Sequence, residues 1–280
     1  MNHLIYPIYN GSFTVGMGNM GFFPDVKNIP SYAFLIINEN NGRAILIDTG
    51  FNPANIPGVD STSVHYNDHH FDEVLSRFGW QTEDIETVVM THLHWDHTGA
   101  IAKFPRARIC VQAEEFRSLV HLPVNEECSF CPSHWLPYLP QFELLEGSSE
   151  IEPGLKVIFN SGHTAGHQVI EVQTAEGKII LGGDAPFNYT LMWEKAPDSY
   201  WQSFRSGPGS RFYWENHVRK TISSFLTANN SLSRERPARM RLSEIRGRGE
   251  KFFTSHDPGL SCFADGRPIS FKSDPGPAVT

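Results

Sequence analysis

The stretch Thr91-His92-Leu93-His94-Trp95-Asp96-His97-Thr98-Gly99 places four metal-ligating side chains, His92, His94, Asp96 and His97, within six positions. Residues 85–90 before it are apolar and rich in β-branched side chains, which predicts a buried strand. Along an extended chain, side chains two apart face the same way, so His92 and His94 converge on one ion. Asp96 and His97 are adjacent and cannot both follow them unless the chain turns. If it turns, the pair faces a second ion beside the first. Thr98-Gly99 permits a tight turn into a short helix over residues 100–103. The spacing therefore argues for two adjacent metals.

Such a motif needs partners from elsewhere in the chain. His163, Asp184 and His256 share one feature: each stands where an apolar strand gives way to a loop. Singly, each reads more readily as a turn or surface residue than as a ligand, but a site assembled from several strand ends is a common arrangement. Adding them gives seven ligands. His92, His94 and His163 are assigned to one metal, Asp96, His97 and His256 to the other, and Asp184 bridges. Imidazole and carboxylate donors suit zinc, and also manganese, cobalt or iron. Asp48, at the end of another strand and before a Gly turn, is either an orienter of a metal-bound His or a plain turn residue.

The elements that must carry these groups read as follows. Strands are expected over 5–15, 31–37, 43–47, 107–112, 155–160, 168–174, 178–181 and 251–254, and helices over 69–78 and 113–120. Glu114 and Glu115 open the second helix, where the helix dipole favours acidic groups. Residues 121–140 form an irregular excursion with four Pro and the Cys128-x-x-Cys131 pair, read as incidental thiols in a loop. Residues 16–30 interleave Gly with Met17, Met20, Phe22 and Phe23, which fits a mobile lid over a pocket or a loop whose side chains tuck into the core. Residues 198–251 carry eleven Lys or Arg against five acids, with helices expected over 214–226 and 238–245. That run is a solvated face or a surface for an anionic ligand. From residue 260 the chain is polar and rich in Pro and Gly, as in a loosely ordered tail.

With 280 residues, 40% apolar content and a net charge of -8, the chain is long enough for a full core. Nothing in its charge favours a nucleic-acid partner. The start has no basic region followed by an apolar one, and no run approaches a membrane span. Four Cys in such a chain read as reduced thiols, so a cytoplasmic location is expected.

His92-x-His94-x-Asp96-His97, with His163, Asp184 and a late His256, resembles the metallo-β-lactamase superfamily over about residues 30–258. The resemblance implies an α/β fold: an αββα four-layer sandwich of two mixed β-sheets flanked by helices, with a dinuclear centre at one edge. Residues 1–258 would form the domain and 259–280 a C-terminal tail. Within the superfamily the chain is similar to the N-acyl-homoserine lactonase group, in its length, in Ser255-His256-Asp257 near the end and in an Asp as bridging ligand. Many of those lactonases have a Tyr three residues after the bridging Asp; here Phe187 stands there, with Tyr189 two positions on.

The expected activity is opening of a lactone or related cyclic ester by attack of a metal-bridging hydroxide. One metal would polarise the carbonyl, and Asp184 or Asp96 would carry the proton to the leaving alkoxide. Met20, Phe22, Phe23, Phe187 and Tyr189 would line the pocket for a small-molecule substrate, and a homodimer is compatible with this reading. The alternatives are hydrolysis of a thioester, an amide or a phosphodiester on the same centre, or an iron-containing redox protein. The redox reading would be favoured by a Glu inside the first motif, where His94 stands instead.

Overall fold

The protein is described by a computed structural model over residues 2–15, 26–55, 65–122, 129–161, 163–184, 251–257, 260–261, 263 and 266–270. Two sheets are stacked. The first has seven strands in the order β4-β1-β2-β3-β5-β6-β7. These are β1 (His3–Val15), β2 (Val26–Asn38), β3 (Ala44–Ile47), β4 (His65–Tyr66), β5 (Thr87–Val89), β6 (Arg108–Gln112) and β7 (Phe142–Leu145). Pairing is antiparallel from β4 to β3 and parallel from β3 to β7. The second sheet has the order β12-β11-β10-β9-β8. It comprises β8 (Ser149–Glu152), β9 (Leu155–Phe159), β10 (Gln168–Thr174), β11 (Gly177–Leu181) and β12 (Lys251–Phe253). Only its β11–β12 pair is parallel.

The apolar run of β2 shows why the first sheet is buried on both faces. Tyr32, Phe34 and Ile36 point into the layer between the sheets, where they meet Val157, Ile170, Val172 and Leu181. Ala33, Leu35 and Ile37 point the other way, into a second core with Phe71, Val74, Leu75 and Trp135. A strand buried on both faces loses polar alternation and reads as continuous apolar sequence. The second core is closed by α1 (His70–Ser76), α3 (Ala113–Ser118) and α4 (Pro132–Trp135), while α2 (Trp95–Thr98) lies within the His/Asp motif itself. Among the described residues no helix is long and apolar enough to cross a membrane.

Several expectations are corrected. Residues 26–30 belong to β2 rather than to a loop. The excursion over 121–140 contains α4 and a 3-10 helix (Leu136–Gln141). The tail is not loose where it is described: Leu260 and Ile269 are buried in the inter-sheet core, and Ile269 N donates to Ile5 O at 2.8 Å. Both helices expected in the basic run, over 214–226 and 238–245, fall outside the described residues, as does Cys128.

Candidate metal centre

All the predicted ligands stand where strands end, along one edge of the sandwich. His92 follows β5, His163 lies between β9 and β10, Asp184 follows β11 and His256 follows β12. After His94 the chain leaves the extended form and turns into α2, with His94 at φ -68°, ψ 157°. That turn swings Asp96 and His97 away from the face used by His92 and His94. Gly99 has an ordinary helical φ of -62°, so it is not glycine for the sake of a turn. A Cβ there would stand 2.3 Å from Asn52 N and the Phe51 carbonyl carbon. The glycine lets this turn lie directly on the chain after Gly50.

The seven side chains form two adjoining groups, His92–His94–His163 and Asp96–His97–Asp184–His256, with the ligand atoms of each group within 4.8 Å of one another. His163 Nε2 and His94 Nδ1 are 3.0 Å apart. Asp184 faces both groups: its Oδ1 lies 3.1 Å from His97 Nε2 and 3.2 Å from His256 Nε2, and its Oδ2 lies 3.4 Å from His163 Nε2. Asp96 Oδ2 is 3.3 Å from His256 Nε2.

Behind the ligands, hydrogen bonds fix which ring nitrogen carries the proton. His97 Nδ1 donates to Asp48 Oδ2 at 2.8 Å, and His256 Nδ1 donates to the Pro30 carbonyl at 2.7 Å. Thr91 Oγ1 donates to Asp48 Oδ2 at 2.8 Å, so it accepts from His92 Nδ1 at 3.0 Å. When these three rings are neutral, Nε2 is the lone-pair atom facing the cluster, which is how outer partners prepare metal-ligating imidazoles. Of the two readings of Asp48, the orienting one describes what it does. It also accepts from Thr91 N at 2.7 Å, and it is the non-glycine residue with positive φ, 58°, among the described residues.

The electrostatics follow from burial and crowding. Burial, then the neighbouring imidazoles, hold His92 well below its ordinary pKa. Burial also holds His163 well below its own. For His97 the burial penalty is outweighed by the carboxylates of Asp184, Asp48 and Asp96, which raise it well above the usual range. Against the same penalty, Asp184 and Asp96 push His256 up to about 10. Burial would raise Asp184, but His256 and His97 hold it well below the carboxylate range.

A divalent cation fits this donor set. His92 Nε2, His97 Nε2 and Asp184 Oδ1 are buried and lack an aligned hydrogen-bond partner. A buried polar atom in that condition is costly unless a partner such as a metal takes it. Imidazole and carboxylate donors are those of zinc and related ions.

Some participants carried no signal of chemistry in the sequence. Glu115, read as a helix-start residue favoured by the dipole, is wholly buried and accepts three hydrogen bonds. His167 Nε2 accepts from Asp184 N at 3.3 Å, and burial holds its pKa down to about 3. Phe130, from the irregular excursion, bridges to His94 and packs edge-on to its ring at 4.8 Å. The expected pocket residues Met20, Phe22, Phe23, Phe187 and Tyr189 lie outside the described residues.

A two-sheet sandwich carrying this cluster at its edge has its counterpart among known proteins. The family model described as the metallo-beta-lactamase superfamily matches residues 27–214. The chain belongs to that superfamily and is a metal-dependent hydrolase of its class. More particularly, it is similar to an N-acyl homoserine lactonase of Bacillus thuringiensis, with 27% identity over 183 residues, 61% of this chain and 69% of the relative. An N-acyl homoserine lactonase from a Bacillus species is 29% identical over 175 residues, 58% of this chain and 66% of that one. Among solved structures, a quorum-quenching N-acyl homoserine lactone lactonase superposes with a TM-score of 0.66 at 22% identity, covering 96% of this chain and 99% of its own. An N-acyl homoserine lactone hydrolase with N-hexanoyl-L-homoserine at its catalytic metal centre gives a TM-score of 0.63 at 22% identity, covering 92% and 95%.

Proposed function

We propose that this chain is a dinuclear hydrolase that opens a lactone or related cyclic ester. His92, His94 and His163 would hold one divalent cation and Asp96, His97 and His256 a second, with Asp184 able to serve both. The observation that carries this reading is the Asp184 carboxylate, whose two oxygens lie 3.1 to 3.4 Å from histidine nitrogens of both groups. Two cations so held would lower the pKa of a water toward neutrality and stabilise charge developing on an ester oxygen.

The chain's own residues supply the rest. Asp48, Thr91 and the Pro30 carbonyl hold the Nδ1 protons of His97, His92 and His256, so that each Nε2 would be the atom that takes a cation. Asp184 or Asp96 carries a proton to the departing alkoxide. Met20, Phe22, Phe23, Phe187 and Tyr189 receive an apolar acyl chain or an aromatic ring. The lactonase relatives support a lactone as the ring that opens, and zinc is the cation expected from the donors.

The test is a hydrolysis screen of zinc- and manganese-loaded protein, covering lactones of several chain lengths, aromatic lactones, a thioester and a phosphodiester. Lactone opening well above the others is expected. Turnover of the thioester or phosphodiester alone would overturn the substrate class. Elemental analysis should find about two metal equivalents per chain, following the ligand count. One equivalent under metal-replete conditions would overturn the two-metal reading.

A further inference from the structure

Two of the proposed ligand segments are tied together by a carboxylate that stands outside the ligand set. Glu115 occupies the third position of α3 and is fully buried. Its Oε1 accepts from Leu93 N at 2.9 Å. Its Oε2 accepts from Thr164 Oγ1 at 2.7 Å and from Gly166 N at 2.9 Å. Leu93 is the residue between His92 and His94, and Thr164 directly follows His163. The carboxylate thus joins the two segments that carry the three histidines of one group. The packing is as close as backbone permits, since a Cβ on Gly166 would lie 2.2 Å from Glu115 N.

We infer that Glu115 is a positioning residue for one metal only, the ion held by His92, His94 and His163. The inference rests on the two-metal reading above. An ionised carboxylate is the group that can take three donors on two oxygens. Each oxygen serves a different segment, so Glu115 fixes the distance between His163 and the His92–His94 pair. The second group has its own braces, Asp48 behind His97 and the Pro30 carbonyl behind His256, and Asp48 also reaches His92 of the first group through Thr91.

Glu115→Gln tests this with almost no change of volume. The amide has one oxygen. If that oxygen faces Leu93 N, the NH2 confronts the Gly166 N–H; if it faces Thr164 and Gly166, the NH2 confronts the Leu93 N–H. Either orientation breaks the tie between the segments. Zinc content at buffered free zinc should fall from two equivalents to about one, with the weaker equivalent bound at least tenfold less tightly, within the range seen when an outer partner is lost. The absorption spectrum of the cobalt-loaded variant should match that of His163→Ala and differ from that of His256→Ala. Thr164→Val, which removes one of the two donors on Oε2, should weaken the same equivalent by less and serves if Glu115→Gln does not fold.

Two equivalents bound with wild-type affinity in both variants would overturn the inference. So would an equal weakening of both equivalents together with a lower melting temperature of the chelated protein, which would mark general support of the fold. A wild-type chain that holds a single equivalent would overturn the two-metal reading itself, and this is measured before any variant.

Discussion

Replacing Asp48 by Asn should cost the protein metal without costing it its fold. The backbone at this position has φ 58°, a region that Asn enters readily, so the substitution adds little strain. The side chain is another matter. Asp48 Oδ1 accepts from Thr91 N, and Oδ2 accepts from Thr91 Oγ1 and His97 Nδ1. In Asp48→Asn, an amide oxygen held toward Thr91 N turns the NH2 onto His97 Nδ1. That nitrogen must then accept, and the ring proton moves to Nε2, the atom that faces Asp184. With the oxygen toward His97, the NH2 meets the Thr91 N–H, and a buried donor is stranded at about 1–3 kcal/mol. Loss of an outer partner lowers metal affinity by about 10- to 100-fold, or about 1.4 to 2.7 kcal/mol. Competition against a chelator measures this directly, with circular dichroism melting of the metal-free protein as the control for folding. Wild-type zinc affinity within about twofold would refute the tautomer argument. Loss of activity with both metals fully bound would show that Asp48 acts on the chemistry rather than on the ligands.

Further outcomes are expected. Asp184→Ala should lower metal content and activity together, read by elemental analysis and lactone turnover; activity lost with both metals retained would exclude a shared ligand. If a Tyr at this position donates a hydrogen bond to the substrate carbonyl, as the resemblance implies, Phe187 cannot, and simple acyl-homoserine lactones should be poor substrates and aromatic lactones better ones. Phe187→Tyr should raise turnover of the former, where one such donor is worth roughly 3 kcal/mol, and wild-type rates on them typical of good enzymes would end that reasoning. Stability should fall in acid through His70, whose pKa burial lowers from 6.5 to about 4. The unfolded chain takes up the proton first, so this contribution is complete above pH 6.5 and about 3 kcal/mol of it is lost as the pH falls to 4. Melting curves of wild type and His70→Asn between pH 7 and 4 should differ in slope, and parallel slopes would discount the histidine.

The ligand motif was legible because metal chemistry restricts residue type and spacing together. His92, His94, Asp96 and His97 show themselves within a single turn of chain, and an apolar strand before them supplies the scaffold. His163, Asp184 and His256 were legible only through their shared position at strand ends, and the structure brings all three to the cluster. Glu115 was not legible: a Glu in the first turn of a helix looks the same whether it faces water or accepts from two distant loops. β7 and β8 escaped notice for a related reason. They are edge strands, and exposed or half-exposed residues such as Glu143 and Glu150 blur the alternation that marks a strand with one dry face. Gly99 was read for its freedom to turn, whereas its use lies in having no side chain where two backbones touch.

The position of His256 has a consequence in time. The 159 residues from Thr98 through His256 take a ribosome on the order of 8–30 s to add at roughly 5–20 residues per second. Through that interval the growing chain displays the first motif without the histidine that completes the second proposed ion site. That site can close only when β12 settles beside β11, which brings Ser255 N to the Gly183 carbonyl and Ser255 O to Tyr32 N. Full metal loading then belongs to the finished chain. In the two-metal reading, the cation at the second site would be drawn from what the surroundings offer after His256 is in place.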